Sequence, residues 1–325
     1  MRGPHGYAAI VPSRPTRIVG RRVRLAGSSL AALVVAAGAI AAAAGVPPAG
    51  AATKHAATKH AATKHAGTVI VLTAGSLETI MKTAVEPGFH KATGYTVTDI
   101  SGGSTGLAQD IKGGVHRADV FWSAAPTSDR LLMGSKNGGW VTWYLTFATT
   151  SLVLGYEPKD RFASAIRHGP WWKVVTEPGF RVGRTNPVTD PKGRLTVDAL
   201  REAARQHRDA GLATIASDRS TVFTETSLVG RLQAGQLDAG FFYAVEASAA
   251  RFPTVPLAGV SEKADYTLTV VSKAPHPVAA DAFVAWLLSP TAKRLLAAHG
   301  LDELGKPVLA GKESAVPPSL RKVVG

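Results

Sequence analysis

Residues 68–77 read Thr-Val-Ile-Val-Leu-Thr-Ala-Gly-Ser-Leu, and residues 95–106 read Tyr-Thr-Val-Thr-Asp-Ile-Ser-Gly-Gly-Ser-Thr-Gly. Each stretch is a short β-branched run that breaks at a glycine-serine turn and continues into helical spacing, so each predicts strand, turn and helix in succession. Working outward, further strand-like runs lie at Val120–Ser123, Ser151–Tyr156, Arg181–Arg184, Ala239–Tyr243 and Thr267–Ser272. Strands alternating with helices of this size predict an α/β protein with a largely parallel sheet. Pro277–Leu288 has helical apolar spacing, Ser289-Pro290 supplies a cap and a first-turn proline, and Gly300 closes the second helix, so two helices are expected to finish the chain.

The chain has 325 residues, 37 Lys plus Arg, 23 Asp plus Glu, ten His and no Cys. This length and its apolar content suffice for a large core, and the absence of Cys excludes disulfides, thiol catalysis and Cys-ligated zinc. Residues 1–65 hold six Arg, three Lys and no acid, leaving 28 basic against 23 acidic groups in the rest. The basicity therefore belongs mainly to the N-terminus, and no nucleic-acid partner is expected. Arg14 to Arg24 precede an uncharged stretch, Leu25–Val46, and Ala49-Gly50-Ala51 offers a small-x-small site. Residues 1–51 thus read as an export signal, the alternative being a retained membrane anchor. Three copies of Ala-Ala-Thr-Lys-His follow, and residues 52–67 read as a solvated linker. His55, His60 and His65 sit there without a spacing that fixes metal geometry.

The chemistry-bearing candidates are the two turns. Glycine lets a ligand approach the backbone, and serine with first-turn amides faces the positive end of a helix dipole, so Ser76 and Ser104 read as paired anion seats. Gly102 to Gly106 also fits the G-x-S-x-G nucleophile elbow, which gives a serine-hydrolase alternative using Ser104 with His276 or His299 as base. Too few strands precede it for that fold. Trp171-Trp172 reads as packing rather than a stacking platform.

With these residues in place, the body resembles the periplasmic molybdate- and tungstate-binding proteins, the substrate-binding components of ABC importers with a type II periplasmic-binding fold. The resemblance rests on Ala74–Leu77, Gly103–Thr105, Ala118–Ala124, Thr150–Leu154, Gly183–Gly193, Ala239–Tyr243 and Phe283–Pro290, in order along the chain. It implies two α/β lobes joined by crossing hinge strands, lobe 1 from 66–148 and 262–325 and lobe 2 from 149–261. It implies that Ser76 and Ser104 hold the anion from lobe 1. From lobe 2, the turn at Asp190, Pro191 and Lys192 is implied to supply a backbone amide, Tyr243 a phenol, and the chain near Glu225 another backbone donor. Phe242 departs from the archaeal-type tungstate binders, some of which place a carboxylate there. The resemblance further implies no enzyme activity, no cofactor beyond molybdate or tungstate as ligand, and a monomer that delivers its oxyanion to a membrane ABC permease from the periplasm or the extracellular face of the cytoplasmic membrane.

A fully ionised dianion accepts hydrogen bonds and offers none, so the expected site presents only donors. Asp190 complicates this expectation: its side chain either caps the local turn or reaches the ligand, where it would favour hydrogen phosphate. Sulfate and phosphate therefore stand as alternatives on the same fold, and an exported sensor or surface interaction protein as a different class.

Overall fold

The computed structural model describes residues 67–324, and the predicted export signal, the linker up to residue 66 and its three histidines lie outside them. Ten strands form the framework: β1 Thr68–Ala74, β2 Thr96–Gly102, β3 Val120–Ser123, β4 Trp143–Tyr156, β5 Val182–Thr185, β6 Val222–Phe223, β7 Ala239–Tyr243, β8 Thr254–Pro256, β9 Lys263–Val270 and β10 Asp302–Gly311. Their order is β2-β1-β3-β9-β4-β7-β5-β6, with β8 and β10 also paired to β4. Helices pack on the sheet in an α/β arrangement.

The long strand β4 links the halves. Its residues Leu145 to Ser151 pair with β9, and Leu152 to Tyr156 pair with β7. On either side the sheet is parallel: β1 with β2 and β3, and β5 with β6 and β7. At the centre β4 and β9 run antiparallel to their neighbours. The sheet is therefore mixed rather than largely parallel, because chain segments that cross between halves must reverse direction.

Strand alternation distributes the core to both faces. Val69 and Val71 of β1 enter the main core, whereas Leu72 packs with Leu107, Ile111 and Phe121 on the opposite face. In β7, Phe241 and Tyr243 face the main core and Phe242 packs with Leu228 and Leu232 on the other side. Trp171 is buried, donates its indole N–H to the Ala258 carbonyl at 3.0 Å, and meets Phe241 edge-on. The tryptophan pair thus packs, with Trp172 stacked 3.9 Å from the His207 ring.

The C-terminus corrects the expectation that two helices end the chain. After Pro277–Leu287 and Pro290–Ala298 the chain forms β10 antiparallel to β4, then a short helix Arg321–Val324.

Candidate functional site

Strands β1 and β2 end side by side, with Ala74 opposite Gly102, so both glycine-serine turns leave from one edge of the sheet. The first opens the helical run that begins at Gly75, and the second opens the helix Ser104–Gly113. From the other half, β5 leads to the loop before the helix Pro191–His207, β6 to the helix Glu225–Gln233, and β7 to the helix Ala244–Ala249. Ligands of open α/β sheets bind outside such carboxyl ends.

The two halves meet at these turns. Gly106 N–H donates to the Thr189 carbonyl at 2.9 Å, and Thr226 Oγ1 donates to Glu78 Oε2 at 2.9 Å. A Cβ on Gly75 would overlap the Glu225 carboxyl group, and one on Gly103 would overlap the Thr189 carbonyl and sit 3.0 Å from Asp190 Cβ. Glycine is required at 103, where a Cβ would meet fixed backbone, and at 75 a Cβ would displace the Glu225 side chain; each turn touches the opposite half directly. A cavity of about 390 Å³ is lined by Gly102, Gly103, Thr185, Asp190, Glu225 and Thr226, hence by both halves.

Of the predicted residues, Asp190 and Glu225 line that cavity; Ser76, Ser104, Pro191, Lys192 and Tyr243 are buried and do not line it. Ser76 Oγ is 2.8 Å from Tyr266 Oη. Ser104 Oγ accepts from Ala124 N–H at 3.0 Å, which leaves its own O–H free to donate. Tyr243 is fully buried, its hydroxyl has no partner, and its ring meets Tyr266 edge-on at 6.2 Å.

The turn after β5 is a correction. The expected backbone donor, Lys192 N–H, is already bonded to Asp190 Oδ1 at 2.9 Å, so Asp190 caps its helix as the local reading proposed. Asp190 Oδ2 remains buried without a partner, which leaves the ligand-facing role open as well. The Lys192 side chain, which sequence reasoning passed over, is fully buried: Nζ lies 2.6 Å from Glu246 Oε2 and 3.2 Å from Glu225 Oε1. Glu225 therefore enters through its side chain as well. A signal existed, since a lysine in the first turn of a helix sits at the electrostatically wrong end and needs acids nearby.

Asp190, Glu225 and Glu246 gather around one ammonium, so the site is not lined by donors alone, contrary to the simplest account of a dianion seat. Burial, reinforced by the neighbouring Asp190 charge, pushes Glu225 up to about 8. Burial also raises Asp190 and Glu246, while the three carboxyl groups outweigh the cost of burial and raise Lys192. Burial raises the phenols of Tyr243 and Tyr266, which stay neutral donors. At neutral pH Glu225 is thus mainly the neutral acid, with a proton to donate. Among the described residues, no group of three or more His, Asp or Glu is placed to hold a metal ion.

The hydrolase alternative loses His276 as its base. Ser104 Oγ meets Ala124, just past the end of β3, whereas His276 Nδ1 bonds Asp119 Oδ2 at 2.9 Å just before its start. Five residues of extended chain separate those anchor points by roughly 16 Å. His299 Nδ1 is bonded to the Leu295 carbonyl at 2.8 Å.

Fold and site together define a two-lobe α/β protein with a cavity lined by both halves. The chain belongs to the bacterial extracellular solute-binding protein family, whose model matches residues 69–302. It is 23% identical over 277 residues to an uncharacterized solute-binding protein of Petrotoga mobilis, covering 74% of this chain and 84% of that one. It is 24% identical to the molybdate/tungstate-binding protein WtpA of Pyrococcus abyssi, covering 79% of this chain and 89% of the relative. The solved periplasmic molybdate-binding protein of Azotobacter vinelandii superposes with a TM-score of 0.57 at 22% identity, over 72% of this chain and 98% of that one, a likeness of fold.

Proposed function

We propose that this chain is the extracytoplasmic binding component of an ABC importer, that it captures molybdate or tungstate between lobes 66–148 with 262–325 and 149–261, and that it acts without catalysis as a monomer. The observation that carries the reading is the convergence of Gly103, at the start of the second glycine-serine turn, and the capped helix starts at Asp190 and Thr224 on one cavity lined from both halves, with Gly75 of the first turn against the Glu225 wall of that cavity. Helix starts and buried hydroxyls favour an anion, and the molybdate- and tungstate-binding relatives favour these two. Charge-assisted hydrogen bonds contribute about 1.5 to 3 kcal/mol each, so five or six, less the cost of ordering the lobes, correspond to a dissociation constant from about micromolar to nanomolar. Competitive calorimetry with molybdate, tungstate, sulfate and phosphate tests the reading. Tight binding of the first two is expected, and no heat with any of them refutes it.

Phosphate is a second reading favoured by one observation: Asp190 Oδ2 is a buried acceptor at the cavity whose neighbouring protein donor is the Thr185 hydroxyl, and it makes no close hydrogen bond. Hydrogen phosphate brings the proton such an acceptor needs. Asp190→Asn should weaken phosphate at least tenfold if that proton is shared, and should leave or improve molybdate.

A further inference from the structure

Glu225 occupies a position that the capture of an anion does not by itself explain. Its Oε1 faces Lys192 Nζ at 3.2 Å, and its Oε2 is buried against Gly75 with no partner. With Thr226 it forms the wall between the 390 Å³ cavity and a second one of about 330 Å³ lined by Gly75, Glu78 and Lys82. The Glu225 carboxyl group therefore lies directly against the first glycine-serine turn.

The groups that face it are mostly of its own sign. Asp190 and Lys192 come from the start of the helix Pro191–His207, and Glu246 from the helix Ala244–Ala249. The phenols of Tyr243 and Tyr266 approach from β7 and β9, and Glu78 with its partner Lys82 from the helical run after β1. Lys192 bonds Glu246 more closely, at 2.6 Å, than it approaches Glu225. One ammonium neutralises one carboxylate, so a dianion added beside an ionised Glu225 would enter a site with excess negative charge and an acceptor aimed at it.

We propose that Glu225 is a specificity-determining proton carrier: it enters the complex as the neutral acid, donates its O–H to the oxyanion, and makes capture dependent on one bound proton. The proton comes from solvent whenever Glu225 is ionised in the free protein, no covalent bond changes, and release returns it. A bare dianion benefits from this donor, whereas an anion that already carries a proton does not need it. This inference rests on the oxyanion reading and adds to it a residue that sets pH response and ligand protonation state.

The sign follows from linkage. Glu225 titrates near 8 in the free protein, and a neighbouring dianion raises it further. Affinity for molybdate, tungstate or sulfate should be level below about pH 8 and fall by up to tenfold per pH unit above it. The test is calorimetry with molybdate and sulfate on the full chain, across that range, in two buffers of different ionisation enthalpy. Wild-type protein should take up close to one proton per anion on the alkaline side. Glu225→Gln keeps a neutral donor that does not titrate, so whatever affinity it retains should show a flat pH profile and no proton uptake. A variant with the wild-type slope, or wild-type binding without proton uptake, overturns the inference and leaves the function standing. Absence of binding by every anion at every pH overturns both. Proton uptake is read on the wild type alone, so a variant that fails to fold does not shield the inference.

Discussion

The two halves of the cleft are built from different chemistry. From the first come Ser76 and Ser104, neutral hydroxyls buried on short turns and held by Tyr266 and the Ala124 amide. From the second come Asp190, Lys192, Glu225 and Glu246, four ionisable groups buried within one ion-pair cluster. The neutral half presents donors whose state does not change with pH. The charged half sets how much negative charge the cleft tolerates, so pH response and selectivity should reside there while the first half supplies affinity.

The largest effect should come from the only cation of the cluster. Lys192→Met leaves the carboxyl groups without their counter-ion, and breaking a buried pair from one side costs about 3 to 5 kcal/mol. Denaturant unfolding should show that loss at neutral pH and a smaller one in acid, where the carboxyl groups take protons. Equal destabilisation at both values would show that Lys192 acts through packing.

Glu225→Gln should move stability the opposite way. A carboxyl group raised from 4.5 to about 8 binds more protons folded than unfolded, so its contribution to stability is present in acid and declines as pH rises through that window. Relative to wild type, the glutamine variant should therefore gain stability progressively between these values. Melting temperatures across that range provide the measurement, and parallel curves for the two proteins would count against it.

The glycines contrast in the same manner. Ala at 103 meets the Thr189 carbonyl, which Gly106 N–H holds in place, whereas Ala at 75 meets the end of the Glu225 side chain. A fixed backbone atom cannot give way and a side chain can. Gly103→Ala should therefore weaken anion binding by about ten- to hundredfold, a cost of about 1.4 to 2.8 kcal/mol, with Gly75→Ala several-fold milder. Equal losses would mean that the clefts on the two sides close with the same rigidity.

The neutral half was far easier to read in the sequence than the charged one. A β-branched run ending in glycine and serine encodes strand, turn and helix start within ten residues, and both turns fell where the pattern placed them. The ion-pair cluster has no such local code: Lys192 and Glu246 are 54 residues apart and meet only through the topology of β5 and β7. Strand β10 was missed because Gly305-Lys306-Pro307 interrupts its alternation, and the structure absorbs those residues in a register shift between Glu303 and Val308. The first part of β4, Trp143 to Thr150, carries aromatic and β-branched residues that do favour a strand, but nothing local says that it crosses between halves.

The smallest change in stability tests whether a neutral donor can also belong to the second half. Tyr243 is completely buried, yet its hydroxyl has no hydrogen-bond partner in the protein. A buried donor without a partner is a cost to folding, so removing it in Tyr243→Phe should leave stability unchanged or raise it by up to about 1 kcal/mol. If that hydroxyl is kept for the anion, the same substitution should weaken molybdate by about tenfold, through the loss of a charge-assisted hydrogen bond worth about 1.5 kcal/mol or more. Paired unfolding and binding titrations separate the two quantities. A drop in stability with unchanged affinity would make Tyr243 part of the core alone, and would leave the charged cluster to hold the anion from its side without a phenol.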